Sequence, residues 1–178
     1  MSFAELCVTT NFSFLRSGSH PEEMTEQAKA IGLAGIGVAD RNTLAGVVRA
    51  HVVAKEKNLR MIVGARLVFR DGTPNLIVYP KNRAAYANLT RLLTTGNRRA
   101  PKGECHLDFA DYLAHAEGLQ TILVPVFAPG ETPDACAPYL RQIRQATGAA
   151  WLAAPFRFDG EERRNLRLLK QLAAQTGA

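Results

Sequence analysis

The stretch Ala34-Gly-Ile-Gly-Val-Ala39 decides the fold. Six residues without a polar side chain read as a strand buried on both faces, as in a parallel sheet covered by helices. Upstream, residues 4–9 read as a first strand. Ser19 with Glu22 forms a capping box, Pro21 falls in the first turn, and Gly32 ends the helix. Downstream, Leu44, Val47, Val48, His51 and Val52 form one helical stripe. Residues 61–69 are a third strand, joined by the Asp71-Gly72 turn to a partner at 75–79. A helix with Ala85, Tyr86, Leu89, Leu92 and Leu93 on one face leads into a long basic loop at 94–106. Asp108 caps a short helix before a strand at 121–127. Thr132-Pro133 opens a helix that turns Tyr139, Leu140 and Ile143 inward. A last strand at 149–156 and a helix opened by Asp159 and Glu162, with Leu166, Leu169 and Leu172 inward, complete the pattern. Repeated strand–helix units predict an α/β fold, either an open doubly wound sheet or a barrel. Phe12, Phe14, Phe109, Phe127 and Trp151 are expected in its core.

The chain has 178 residues, 47% hydrophobic and 21% charged, which suits a single globular domain over residues 1–178 and excludes a disordered one. No apolar run is long enough to span a bilayer. Residues 1–6 lack the basic-then-apolar order of a secretory leader. Cys7, Cys105 and Cys136 have no paired spacing, which fits a reducing cytoplasm and no structural zinc. No nucleophile elbow, phosphate-cradling glycine loop or dinucleotide fingerprint is present.

The net charge is +6, and its placement matters more than its size. Lys81, Arg83, Arg91, Arg98, Arg99 and Lys102 lie between Gly72 and Gly103, a stretch with no Asp or Glu. That leaves 16 basic residues to balance the 16 acidic ones elsewhere. The segment is either a solvated face or a contact for a polyanion such as DNA. No aromatic residue lies between Asn97 and Gly103, so base stacking there is not expected.

Three stretches carry a family resemblance. They are Asn11-Phe-Ser-Phe-Leu-Arg16 with Ser19-His-Pro-Glu-Glu23; Leu44-Ala-Gly-Val-Val-Arg-Ala-His51 running to Ile62-Val-Gly64; and Arg99-Ala-Pro-Lys-Gly-Glu-Cys-His-Leu107. Together they resemble the N-terminal polymerase-and-histidinol-phosphatase (PHP) domain of bacterial C-family DNA polymerases, most similar to the error-prone branch. The resemblance implies a distorted β/α barrel. Because the sequence stops at Ala178, after a glycine that ends a helix, the barrel is expected to be truncated before its closing strand. Palm, fingers and thumb are absent from these residues.

Active members hold divalent metals with His, Asp, Glu and Cys at the strand ends, where the metals generate hydroxide and neutralise a phosphoryl group. Aligned on these motifs, the ligand positions fall on Cys7 and Thr9, on Asp40 and Arg41, and on Ala65-Arg66. Around Val124-Pro125-Val126 no donor appears. Arginine cannot ligate a metal, so these positions read as vestigial, with Asp40, Cys7 and His20 the only weak ligand candidates. Asp40 is expected to pair with Arg41 or Arg66 instead. His20 and His51 are otherwise a capping or packing residue each, and Cys105 a loop cysteine.

The expectation is a catalytically inactive, architectural PHP-like domain that needs no cofactor. Its parent polymerase would use magnesium, work in the cytoplasm away from membranes, and serve DNA replication and damage-tolerant synthesis. Its partners would be the rest of that chain, DNA, and other polymerase or mutasome subunits. The alternatives are a metal-dependent phosphoesterase or 3'-5' exonuclease, and a DNA-binding module working through the basic segment.

Overall fold

The computed structural model describes residues 3–127, 132–156 and 158–178. Met1 and Ser2, where the segment considered above for a leader begins, lie outside them. The chain divides into two compact units.

The first unit holds residues 1–67 and 77–79. Its strands β1 (Ala4–Val8), β2 (Gly35–Arg41) and β3 (Arg60–Leu67) are parallel, with α1 (Pro21–Ala30) and α2 (Val47–Glu56) as the crossovers. The Ile77–Tyr79 part of β4 (Asn75–Pro80) follows β3 in the strand order. Six of the seven β2 residues are buried, and Ile36 and Val38 pack with Val8, Ala28, Val47, Ala50 and Leu59. This is the two-sided burial that the apolar run predicts.

Tyr79 sets how closely these strands pack. Its hydroxyl donates to the carbonyl of Leu6, and burial pushes its ionisation well above the usual phenol range. The ring lies over Gly64, where a Cβ would collide with the ring and with the Val78 carbonyl.

Two expectations shift here. The cap of α1 is His20, not Ser19: its backbone N–H donates to Glu23 Oε2 at 2.8 Å. In α2 the buried face is Val47, Ala50, Val53 and Ala54, while Val48, His51 and Val52 are exposed. Two small alanines let the helix sit close to its neighbours, and that rotates the valines at 48 and 52 outward.

The second unit holds residues 68–76 and 80–178. It contains α3 (Arg83–Arg99), α4 (Phe109–Ala114), β5 (Leu119–Val124), α5 (Ala137–Thr147), β6 (Trp151–Leu152) and α6 (Glu162–Thr176). β5 and β6 are parallel, in the register Ile122 to Trp151. The core centres on Phe109, whose ring stacks on Tyr112 at 5.7 Å and meets Tyr139 edge-on at 5.0 Å. The buried Tyr112 hydroxyl pairs with Thr121 Oγ1 at 2.8 Å, and burial pushes its ionisation up to about 12.

Residues 94–99 are helical, not loop. The threonines at 94 and 95 return their hydroxyls to the carbonyls of Thr90 and Arg91, so their polar groups are satisfied within the helix. Gly96 is buried on the same face as Leu89, Leu92 and Leu93. The strand expected at 149–156 shrinks to two residues. Trp151 is 43% exposed, and Phe12 and Phe14 also lie on the surface.

Gly64→Ala is expected to cost about 1–3 kcal/mol through overpacking against Tyr79. Gly18→Ala, where a Cβ meets nothing, should be neutral. Urea unfolding of the two variants checks this.

Candidate functional site

The polar residues of the first unit gather where parallel strands end, the edge at which β/α folds place their chemistry. Asp40, the sixth residue of β2, is 1% exposed. Its carboxylate accepts three hydrogen bonds of 2.7 Å: Thr10 N and Ser13 Oγ donate to Oδ1, and Thr10 Oγ1 donates to Oδ2. Each hydroxyl is used twice. Ser13 Oγ accepts from Arg41 N at 2.9 Å, and Thr10 Oγ1 accepts from Phe12 N at 3.3 Å. A Cβ at Gly46, just before α2, would lie 2.8 Å from Asp40 Oδ2 and 2.9 Å from Thr10 Oγ1. The loop leaving β1, the end of β2 and the start of α2 therefore close on one carboxylate.

The expected Asp40–arginine pair is replaced by this arrangement. Arg41 is exposed, and Arg66 Nη2 donates to Cys7 Sγ at 2.5 Å. The β2–β3 register sets Arg41 opposite Arg66 and Asp40 opposite Ala65. Hydroxyls prevail over guanidinium because they reach a buried carboxylate without bringing a second charge out of water. Sequence reasoning misses Thr10 and Ser13. Their only signal there is a run of hydroxyls directly after a predicted strand.

Thr9 turns its hydroxyl to the carbonyl of Cys7 at 3.5 Å. His20 caps α1, and its Nδ1 meets Asn11 Nδ2 at 3.0 Å. Among the described residues no three of His, Cys, Asp and Glu gather as a metal would require. The donor set does not fit the metal cluster that the resemblance implies: the thiol faces a guanidinium and the carboxylate oxygens are already engaged. In the second unit, a cleft beside Pro125 and Val126 is lined by Asp159 and Glu161, and Glu161 pairs with Arg164 at 3.7 Å.

The basic segment separates into two groups. Arg99 donates to both carboxylate oxygens of Asp111, at 2.6 and 2.8 Å, and to Asp108 at 3.1 Å. Arg70 closes the network on Asp108 with two bonds of 2.8 Å. The Arg99 hydrogen bond holds Asp111 below the usual carboxylate range, and the Arg70 hydrogen bond does the same for Asp108. Lys81, Arg83, Arg91, Arg98 and Lys102 are exposed. Arg91 contacts Asn88 at 3.2 Å. Cys105 is half-buried, and burial pushes its thiol up. His106 pairs with Glu104 at 2.7 Å.

Parallel strands with helical crossovers and a polar cluster at the strand ends define a β/α domain. Residues 5–150 match the PHP domain family, and the chain belongs to it. It is 48% identical over 181 residues to the error-prone DNA polymerase of Brucella abortus biovar 1, covering 98% of this chain and 16% of that protein. Against the error-prone DNA polymerase of Caulobacter vibrioides it is 46% identical over 177 residues, covering 99% and 16%. The chain thus spans about a sixth of the length of the curated relatives it matches. Among solved structures it is similar to a proposed metal-dependent phosphoesterase from Bifidobacterium adolescentis (TM-score 0.71, 14% identity, 99% of this chain and 84% of that one). An amidohydrolase from Chromobacterium violaceum gives a TM-score of 0.67 at 13% identity, with coverage of 99% and 84%. These neighbours establish the α/β, barrel-like fold.

Asp40→Ala leaves buried donors unpaired and is expected to cost about 2–4 kcal/mol in urea unfolding. Asp40→Asn keeps one acceptor and should cost less than half as much. The network at Arg99 gives a pH signature. A carboxylate depressed in the folded state contributes its full stabilisation above its unfolded value, about 3.9 for aspartate, and loses it as pH falls through the folded value. Asp111→Asn should therefore lower Tm at neutral pH, and the gap from wild type should close below about pH 4.

Proposed function

We propose that this chain acts as the PHP domain of an error-prone DNA polymerase, and that it supplies structure to that enzyme and no hydrolysis of its own. What supports the reading is 48% identity to such a polymerase, together with arginines, Arg41 and Arg66, on the two facing strands where the resemblance implies metal ligands. A PHP domain that keeps its metals is held together at the strand ends by ligand bonds. Here Asp40, Thr10 and Ser13 make the equivalent connection with hydrogen bonds alone.

In this reading the reaction of the whole enzyme is magnesium-dependent nucleotide transfer to a DNA end, carried out by other regions of the polymerase. The domain needs no cofactor. Its partners are the rest of the polymerase, DNA, and other subunits of a damage-tolerant synthesis complex. No helix among the described residues is long and apolar enough to cross a membrane. A cytoplasmic setting follows from the polymerase role.

The test is metal content of the purified chain after exposure to manganese or zinc, with hydrolysis of a phosphodiester and of a short DNA strand. The expected result is neither stoichiometric metal nor turnover, and a Tm unchanged by chelator. Bound metal with turnover abolished in Asp40→Asn would overturn the reading in favour of a phosphoesterase or exonuclease.

A further inference from the structure

We infer that the solvent face of α3 is a docking surface for the phosphate backbone of duplex DNA. A helix turns about 100° and rises about 1.5 Å per residue, so Arg83, Arg91 and Arg98 fall within about 80° of arc and span about 22 Å. The buried residues Ala85, Leu89, Leu92, Leu93 and Gly96 lie on the opposite side. Between the cations the stripe carries only Ala87 and Thr94, neither of them charged. Lys81 precedes the helix and Lys102 follows it, both exposed.

The sorting of charge distinguishes this stripe from an ordinary helix surface. Asp108 and Asp111, the carboxylates that meet the end of α3, are committed to Arg99 and Arg70, which removes Arg99 from the phosphate contacts expected from sequence. The stripe arginines form no ion pair among the described residues. One acid adjoins it: Glu117 lines a shallow groove with Asn82, Ala87, Asn88 and Arg91.

The partner follows from what the stripe lacks. A lipid surface would call for apolar side chains beside the cations, and a protein partner for an aromatic or aliphatic anchor. Tyr86 lies about 100° away around the helix, so no ring is placed for stacking on unpaired bases. A dense, regular row of phosphates needs cations alone. The choice of DNA among polyanions rests on the polymerase reading.

The experiment is fluorescence anisotropy of a labelled duplex of about 20 base pairs with the 178-residue chain, from about 50 to 200 mM salt. Wild type should bind with a steep salt dependence. The triple variant Arg83→Ala, Arg91→Ala, Arg98→Ala should lower the slope of log K against log salt by about 2.7, at about 0.9 per phosphate. Arg163→Ala with Arg167→Ala, two arginines on α6, should leave it unchanged. Glu117→Gln should tighten binding. No duplex binding by wild type, an unchanged slope in the triple variant, or equal competition by polyglutamate or anionic vesicles would each overturn the inference. None of those outcomes bears on the metal test, so the two readings fail separately.

Discussion

A carboxylate almost wholly removed from water fixes the geometry of whatever surrounds it, because each of its oxygens must be matched. Asp40 does this in the first unit. Its two oxygens draw Thr10 and Ser13 inward, and those hydroxyls in turn satisfy the backbone of Phe12 and Arg41. The loop after β1 has no regular structure of its own, so these bonds determine where it runs. The same crowding requires a residue without a side chain at position 46, and so sets where α2 begins. Tyr79 does comparable work on the sheet, with its ring accommodated by Gly64 and its hydroxyl on the carbonyl of Leu6.

In the second unit the organising principle is the partition of charge. Arg70, Arg99, Asp108 and Asp111 alternate in sign and are partly shielded from water, an arrangement that holds the end of α3 to the cap of α4. Asp108 and Asp111 also close the capping box of α4, so one pair of carboxylates serves both a helix terminus and a cation network. The other cations of the segment are left to solvent. A composition that looks uniformly basic along the chain is in space two populations with different work.

How much of this can be read from the residues depends on the range of the interaction. The apolar run at 34–39 needs no partner to be recognised as a buried strand, and the cap at Asp108 is local. The extension of α3 through Thr94 and Thr95 escapes such a reading because threonine and glycine disfavour helix in isolation, whereas here the hydroxyls fold back and Gly96 is buried. The face of α2 escapes it because valines outweigh alanines in any hydrophobic pattern, yet the small residues make the close contact. At the candidate site, family resemblance leads to Asp40 and the two arginines. It does not lead to the hydroxyls that hold the carboxylate, since 30 residues separate Thr10 from Asp40 and no periodicity links them.

The hydrogen bonds at the strand ends also make the residues that form them depend on one another. To hold a metal there, the chain would have to replace Thr9, Arg41 and Arg66 and release Asp40 from Thr10 and Ser13. Freeing the two donors one at a time removes a working contact or strands a buried charge before any metal can compensate. Cys7 would lose the guanidinium that now faces it, and Asp40 would lose the donors that allow its burial. Selection acting one substitution at a time meets a loss of stability on such a route. The hydrogen-bonded form therefore resists piecemeal change: a metal centre at this place would need several substitutions made together.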